Sequence, residues 1–142
     1  MKRIAFVELS HIFSNQIKLP YSTGCIWSYC RTVKEITDNY SFDVHDWIYV
    51  LDGKFDIDKT AEQLAECDVV GVSYFVWNAH ASDRICAKLR RINPKCVIIY
   101  GGLGIPKSGR CDKFLKDRPF IDVIVHNEGE IVFKNVLKVL HR

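Results

Sequence analysis

The chain has 142 residues and a mass of 16.4 kDa, with 48% apolar and 26% charged residues. This composition is typical of a soluble globular protein and excludes a disordered or fibrous chain, so we predict a single domain over residues 1–142. The net charge of +3 is too small and too dispersed for a nucleic-acid-binding surface. No apolar run reaches the roughly 20 residues of a membrane span, and the N-terminus lacks the features of a signal peptide. We therefore expect a cytoplasmic protein without nucleic-acid or membrane partners.

Six cysteines are distributed along the chain: Cys25, Cys30, Cys67, Cys86, Cys96 and Cys111. They form no CxxC pair and no Cys-His cluster with zinc spacing, and several lie within apolar segments. We therefore predict reduced, mostly buried thiols rather than a disulfide framework or a zinc site.

Five short apolar runs, rich in Val, Ile and aromatic residues, predict β-strands. They cover residues 4–9, 44–51, 68–75, 96–100 and 121–126. Three of these runs show little alternation of apolar and polar residues, which is typical of strands covered by helices on both faces.

Between the strands, apolar residues recur every three or four positions, which predicts amphipathic helices. The recurring positions are Ile26, Cys30, Val33 and Ile36 or Thr37; Ala81, Ile85, Leu89 and Ile92; and Val132, Val136 and Leu140. A shorter helix carries Ala61, Leu64 and Ala65. We expect Asp58 to be its N-cap, and we expect Asn93-Pro94 to end the helix before the fourth strand.

Regular alternation of strands and helices predicts a parallel sheet with right-handed crossovers. We expect an α/β fold: a doubly wound, five-stranded, flavodoxin-like α/β/α sandwich. Ligands of such folds bind outside the carboxyl ends of the strands, so the loops at that edge are the candidate sites.

Two of these loops are unusual. The loop over residues 10–23, after the first strand, is long, and it leads to Gly24, where we expect a helix to begin. The segment 73–78, after the third strand, is an aromatic corner in which Asn78 is the expected N-cap of the next helix. A packed corner with an ordinary cap is the structural alternative for this segment.

The loops after the last two strands contain small and acidic residues. Gly101, Gly102 and Gly104 follow the fourth strand and allow a close approach of the backbone to a ligand. Glu128 and Glu130 begin the last helix, where the helix dipole favours negative charge. Each feature taken alone also fits a turn or a cap, but their combination at one edge predicts a large, flat ligand.

As a series, these segments resemble the N-terminal cobalamin-binding domain of cobalamin-dependent radical S-adenosylmethionine enzymes, over essentially the whole chain. The shared features are an aspartate-led third strand, an SxxxWN corner, an NP stop, a GG turn and a GEGE-like turn. In this sequence they are Asp68, Ser73 to Asn78, Asn93-Pro94, Gly101-Gly102 and Asn127 to Glu130. Asn127 replaces the first glycine of the last turn, and residues 103–106 stand where the family often has Pro-His or Pro-Glu.

The resemblance implies a Rossmann-like domain that holds the corrin over the strand ends and threads the nucleotide tail between sheet and helices. Carried over by position, the residues near the lower corrin face are Phe75, Val76, Trp77 and Asn78. Those lining the tail channel are Ser73, Gly101, Gly102 and Leu103, with Glu128 and Gly129 near its end. By the same resemblance, Trp77 shields the lower face of the cobalt without ligating it, and backbone contacts dominate.

A second group of cobalamin-binding domains supplies an axial histidine from a DxHxxG motif after the first strand. The sequence around His11 has neither the aspartate nor the glycine of that motif, and a metal-bound imidazole normally needs an orienting carboxylate. We therefore predict that His11 is not an axial ligand, and we predict no catalytic or metal-ligating residue.

Enzymes of the family that the chain resembles cleave S-adenosylmethionine at an iron–sulfur cluster, which a CxxxCxxC motif holds in a separate barrel. These 142 residues lack that motif. We expect no iron–sulfur ligands and no catalysis from this chain alone. The favoured hypothesis is a cobalamin-binding module of a methyltransferase-type enzyme, whose partner is a radical S-adenosylmethionine barrel in cis or in trans.

The alternative is a cofactor-free interaction or regulatory protein derived from that domain, which Asn127 and the segment 103–105 favour. Receiver domains and flavodoxins are disfavoured, because the first loop lacks both the acidic pair and the phosphate-binding Thr/Ser pattern. The substrate, the oligomeric state and the completeness of the chain stay open.

Overall fold

The computed structural model describes residues 1–10, 16, 19–43 and 56–141. In this part of the chain, five parallel strands form one sheet in the order β2-β1-β3-β4-β5. The strands are β1 (Lys2–Val7), β2 (Tyr40–Asp43), β3 (Val69–Ser73), β4 (Val97–Gly101) and β5 (Val123–Ile124). This is the flavodoxin-like order, so the predicted fold class is confirmed.

Helices cover both faces of the sheet. They are α1 (Tyr21–Arg31), α2 (Lys34–Asn39), α3 (Ile57–Leu64), α4 (Ala79–Ile92), α5 (Cys111–Lys116) and α6 (Gly129–His141). The cluster on one face includes Cys30 of α1, Ile36 of α2 and Leu137 of α6. The cluster on the other face includes Leu64 of α3, Ile85 of α4 and, partly buried, Phe114 of α5. Among the residues described, no helix is long and apolar enough to cross a membrane.

The central strand β3 shows why its sequence does not alternate in polarity. Val70 and Val72 point into the cluster beneath α3 and α4, and Val69 points into the cluster beneath α1 and α6. Side chains of a strand alternate between faces, so both faces of β3 need apolar residues when helices cover both.

Carboxylates stabilise the edge of the sheet at which the strands begin, opposite the edge formed by their carboxyl ends. Asp68 accepts a hydrogen bond from the backbone N of Arg3 at 2.7 Å. Asp122 accepts one from the backbone N of Ile98 at 2.7 Å and a second from Arg90 Nη2 at 2.5 Å. Each carboxylate thus links a residue that precedes one strand to the strand beside it.

The helix predicted over residues 26–37 is in fact two helices. The chain leaves α1 in a tight turn, in which the backbone N atoms of Thr32 and Val33 donate to the carbonyls three residues earlier. Val33 then takes an extended conformation at the N-cap of α2. The start was also misplaced: α1 begins at Tyr21, three residues before Gly24. The apolar spacing persists across the break, so spacing alone did not reveal it.

The other helix boundaries agree in part with expectation. The N-cap of α3 is Asp56, not Asp58, since its Oδ1 accepts from the backbone N atoms of Asp58 and Lys59 at 2.9 and 3.0 Å. The stop at Asn93 is confirmed: α4 ends at Ile92, and Asn93 Nδ2 donates to the carbonyl of Ala65 at 3.0 Å.

Three elements were not predicted, and the first is a short 3-10 helix at Ser108–Arg110 between β4 and α5. The edge strand β2 interrupts its apolar residues with Ser41 and Asp43, which hides it from a search for apolar runs. The helix α5 has six residues, too few to show a helical period. The strand predicted over residues 44–51 lies outside the described residues.

All six cysteines are free thiols. Four are buried, and burial raises their pKa to about 11 for Cys30 and Cys67 and to about 12 for Cys86 and Cys96. The prediction that most of the thiols are buried is therefore confirmed.

These thiols predict a labelling pattern. At neutral pH, a maleimide should modify the partly exposed Cys25 and Cys111 first, because the thiolate is the reactive form and the other four are both buried and protonated. The four buried thiols should react only after unfolding, as peptide mass spectrometry would show. Fast labelling of Cys86 in the folded protein would contradict this pattern.

Candidate functional site

A cleft of about 240 Å³ opens at the carboxyl ends of β3 and β4, between the sheet and helices α1 and α6. The buried residues of its wall are Thr23 and six apolar ones: Phe6, Gly71, Val72, Ile99, Val125 and Phe133. Exposed residues at its mouth are Tyr21, Gly102, Asn127 and Glu128. An apolar cavity of about 150 Å³ holds one benzene ring, so a cleft of this size suits a bicyclic ring but not a tetrapyrrole.

Glycines on β3 and β4 shape the wall of the cleft. A Cβ on Gly71 would lie 2.8 Å from a ring carbon of Phe6, so glycine lets the Phe6 ring cross the strand. A Cβ on Gly101 would have Val125 as its nearest neighbour, at an ordinary 3.8 Å. Gly101 is therefore not required by close packing, and its missing side chain leaves open space in the cleft.

The glycines after β4 have a different role. Gly102 has φ of +111°, and a Cβ there would lie 2.6 Å from the carbonyl O of Tyr74. The backbone N of Tyr74 donates to the carbonyl of Gly101 at 2.6 Å, and the backbone N of Gly104 donates to the carbonyl of Tyr74 at 2.9 Å. Contact with the Tyr74 backbone thus explains Gly102 and Gly104 without a ligand.

Tyr74 is itself held from the other face of the sheet. Its hydroxyl donates to Asp83 Oδ2 at 3.4 Å, and the same oxygen accepts from Arg118 Nε at 2.9 Å. Burial raises the pKa of Tyr74, which keeps this hydroxyl protonated and able to donate. The corner after β3 is therefore anchored to α4 and to the segment after α5.

Asn78 holds the same corner together. Its Oδ1 accepts from the backbone N of Phe75 at 2.8 Å, and its Nδ2 donates to the carbonyls of Ser73 and Leu9 at 2.8 and 3.1 Å. Asn78 occupies the N-cap position of α4, as predicted, but its side chain makes no capping bond. With 1% of its surface exposed, it lies beneath the corner and binds backbone on three sides.

The outer surface of the corner is an apolar rim formed by Phe75, Val76, Trp77 and Leu103. The rings of Phe75 and Trp77 stack at 4.7 Å between centroids with an interplanar angle of 4°. Val76, Trp77 and Leu103 are 86%, 49% and 89% exposed. Exposed apolar clusters at the ligand-binding edge of a sheet mark binding surfaces rather than core.

Asn127 has a conformation that explains its place in the last turn. Its φ is +62°, in the left-handed region where glycine is favoured and where asparagine is among the best tolerated of the other residues. The replacement of glycine by asparagine therefore preserves the turn, and it no longer favours a protein that has lost its ligand.

Two helices begin at the mouth of the cleft. The first turn of α1 contributes Tyr21 and Thr23, and the first turn of α6 contributes Gly129 and Glu130. The N-terminus of α1 is capped by Glu8, whose Oε2 accepts from the backbone N of Thr23 at 2.9 Å. The Glu8 carboxylate thus already occupies the backbone N of Thr23, and the first turn of α6 is the other helix N-terminus at this opening, where the helix dipole favours an anion.

Tyr21 and Cys25 lie one helical turn apart on α1, at the entrance. The interaction with Cys25 and, to a smaller extent, the charge of Glu130 raise the pKa of the Tyr21 hydroxyl. This hydroxyl stays protonated at physiological pH, and its interaction with Cys25 holds it at the cleft mouth.

The ten predicted cofactor-binding residues fall into three places. Five line the cleft: Ser73, Gly101, Gly102, Glu128 and Gly129. Four form the apolar rim, including Leu103, which was expected in the tail channel but does not line the cleft. Asn78 is buried beneath the corner. His11 lies outside the described residues, which contain no group of three or more His, Cys, Asp or Glu side chains able to hold a metal ion.

Comparison with known proteins shows which sequences this chain is similar to. No protein-family model matches the chain. It is 26% identical to 2-(S-pantetheinyl)-carbapenam-3-carboxylate methyltransferase of Streptantibioticus cattleyicolor and 25% identical to cobalamin-dependent radical SAM methyltransferase TokK of Streptomyces tokunonensis. The chain resembles cobalamin-dependent radical S-adenosylmethionine methyltransferases. The resemblance read from its motifs is thereby confirmed.

The matches to these methyltransferases extend over 119 residues, which is 84% of this chain but 16% of each relative. The chain thus spans about a sixth of the length of the curated relatives. The described part of the chain consists of the sheet and its helices, with the cleft and the apolar rim at one edge.

Several residues of the cleft were missed by reasoning from the sequence. On α1 these are Thr23, Cys25 and Ile26, and beneath them are Phe6 and Phe133. The spacing of Ile26 and Cys30 placed them on one helical face, but spacing does not tell which part of that face lies above the strand ends. Thr23 was assigned to the loop before the helix.

Proposed function

We propose that this chain binds cobalamin and is the cofactor-binding part of a methyltransferase-type radical S-adenosylmethionine enzyme. The observation that carries this proposal is the cleft at the ends of β3 and β4, open where Gly101 has no side chain. Cobalamin, when bound, supplies a cobalt centre able to carry a methyl group. The chain's own residues bind the cofactor, orient it and exclude water.

The cleft fits the nucleotide tail. Its apolar wall, with Ile99 and Phe133, suits a flat aromatic base, and its mouth suits the sugar and phosphate. The first turn of α6 presents backbone amides to an anion, while Ser73 and Asn127 offer polar side chains at the opening. Five of the ten predicted residues lie here, which supports the role of the cleft as the tail channel.

The apolar rim fits the lower face of the corrin, which is too large for the cleft. The stacked rings of Phe75 and Trp77 would lie beneath it, with Val76 and Leu103 beside them. An indole has no lone pair suited to a metal, so Trp77 would exclude water from the cobalt rather than ligate it. Asn78 would act indirectly, by holding this corner in place.

A radical S-adenosylmethionine barrel, in cis or in trans, would supply the iron–sulfur cluster and the substrate site. The relatives are about six times longer than the matched segment, which supports such a partner. The reaction of the whole enzyme and its substrate belong to that larger protein.

Loading the purified protein tests the proposal. After incubation with hydroxocobalamin and removal of the excess by gel filtration, we expect about one corrinoid per chain, measured by the visible absorbance. A colourless protein would contradict the proposal and favour the cofactor-free alternative.

Replacing Trp77 with alanine should change the visible spectrum of the bound corrinoid, because water would gain access to the cobalt. The unfolding midpoint should change little, since the side chain is 49% exposed. Tyr29→Ala is the matched control, because Tyr29 is a partly exposed aromatic residue on α1 that does not line the cleft. Identical spectra for the wild type and Trp77→Ala would contradict the shielding role.

A further inference from the structure

We infer that the cleft selects among cobamides by the polarity of their lower base. It should prefer a base without exocyclic polar groups, such as the methylated benzimidazole of cobalamin, to adenine. This inference rests on the proposed function, because it concerns the base of the same cofactor.

The deep part of the cleft has no polar side chain among the residues described. Its wall is formed by Phe6, Ile99, Val125 and Phe133, all buried, with Gly71 between the two rings. A base inserted between the sheet and α6 would therefore contact only the apolar side chains of these residues in this part of the cleft.

The backbone carbonyls at the strand ends already accept hydrogen bonds. The carbonyl of Ser73 accepts from Asn78 Nδ2, that of Tyr100 from the backbone N of Val125 at 2.7 Å, and that of Gly101 from the backbone N of Tyr74. A buried exocyclic amine would have to share one of these occupied acceptors or remain without a partner.

The polar groups of the cleft lie nearer its mouth. Ser73 is the last residue of β3, and Thr23 is in the first turn of α1, whereas Gly71 and Ile99 lie two residues before the ends of their strands. Hydroxyls at the mouth are placed for the sugar and phosphate, not for the far edge of the base.

A polar group buried without a partner weakens binding, because its hydrogen bonds to water are not replaced. We expect about a tenfold weaker affinity for adeninylcobamide than for cobalamin, which corresponds to about 1.4 kcal/mol. The two molecules share the corrin, sugar and phosphate, so the difference isolates the base.

Equilibrium dialysis of the purified chain against cobalamin, adeninylcobamide and cobinamide, which lacks the nucleotide tail, tests the inference. We expect cobalamin to bind most tightly and cobinamide most weakly. Equal affinities for cobalamin and adeninylcobamide, or a preference for the latter, would overturn the selectivity and leave the proposed function standing. Binding of none of the three would overturn the proposed function itself.

A pair of variants on β5 locates the base. Val125→Thr adds a hydroxyl to the deep wall with little change of volume, so it should reduce the preference for cobalamin. Val123→Thr is the matched control, because Val123 packs against the same cluster but does not line the cleft. An unchanged ratio of affinities in a folded Val125→Thr protein, checked by circular dichroism, would overturn the placement of the base; the wild-type comparison does not depend on either variant.

Discussion

Replacing Gly102 with alanine is expected to lower the free energy of unfolding by about 3 kcal/mol. The backbone at Gly102 has φ of +111°, which a residue with a Cβ adopts only with strain. The new Cβ would also lie 2.6 Å from the carbonyl O and 3.1 Å from the backbone N of Tyr74. These atoms cannot move freely, because Tyr74 is hydrogen-bonded to Gly101 and to Gly104 on either side of the substitution.

Urea denaturation followed by circular dichroism measures the loss directly. Gly109→Ala is the matched control, because Gly109 lies in the segment between β4 and α5 and a Cβ there would meet nothing within 4 Å. That variant should stay within about 0.5 kcal/mol of the wild type. Equal stability of the two variants would show that Gly102 is not confined by Tyr74.

Replacing Gly101 with valine is expected to weaken cobalamin binding by about 100-fold while the protein stays folded. The valine side chain would narrow the cleft at the end of β4, where the nucleotide tail has to pass to reach the deep wall. The fold should tolerate it, since a Cβ meets Val125 only at 3.8 Å and β-branched residues suit a strand. The readouts are the dissociation constant, from a spectral titration, and the urea midpoint.

Gly101→Ala extends this experiment, because a methyl group should cause an intermediate loss of affinity. Gly109→Val adds the same bulk outside the cleft and should bind cobalamin like the wild type. Tight binding by a folded Gly101→Val protein would exclude the cleft as the tail channel, even if the chain binds cobalamin elsewhere.

The shared motifs combine two kinds of residue that only the structure separates. Asp68 and Asn93 hold the edge at which the strands begin, far from any ligand at the other edge. Gly101 and Gly129 lie at the cleft. The resemblance was recognisable because both sets are present, but the first set concerns the stability of the fold rather than a ligand.

The candidate site was predicted best where the backbone alone defines it. Ser73, Gly101 and Glu128 were placed correctly at one edge, because the ends of parallel strands must converge there. Asn78 and Leu103 were predicted less well, since the direction of a loop side chain depends on its neighbours. The Asn78 side chain is buried because it forms hydrogen bonds with three backbone groups at the corner. No sequence pattern predicts these bonds.

The alternation of strands and helices follows from the sequence alone, and with it the parallel sheet, the edge at which folds of this class bind ligands and the family that the chain resembles. These properties depend on local periodicity and on short motifs. The packing of the helices on the sheet was needed to show that Thr23 and Ile26 of α1 line the cleft with Phe6 and that Gly102 and Gly104 make room for the Tyr74 backbone. Such contacts join residues far apart in the chain, and they are set by how helices pack across the sheet rather than by any local pattern.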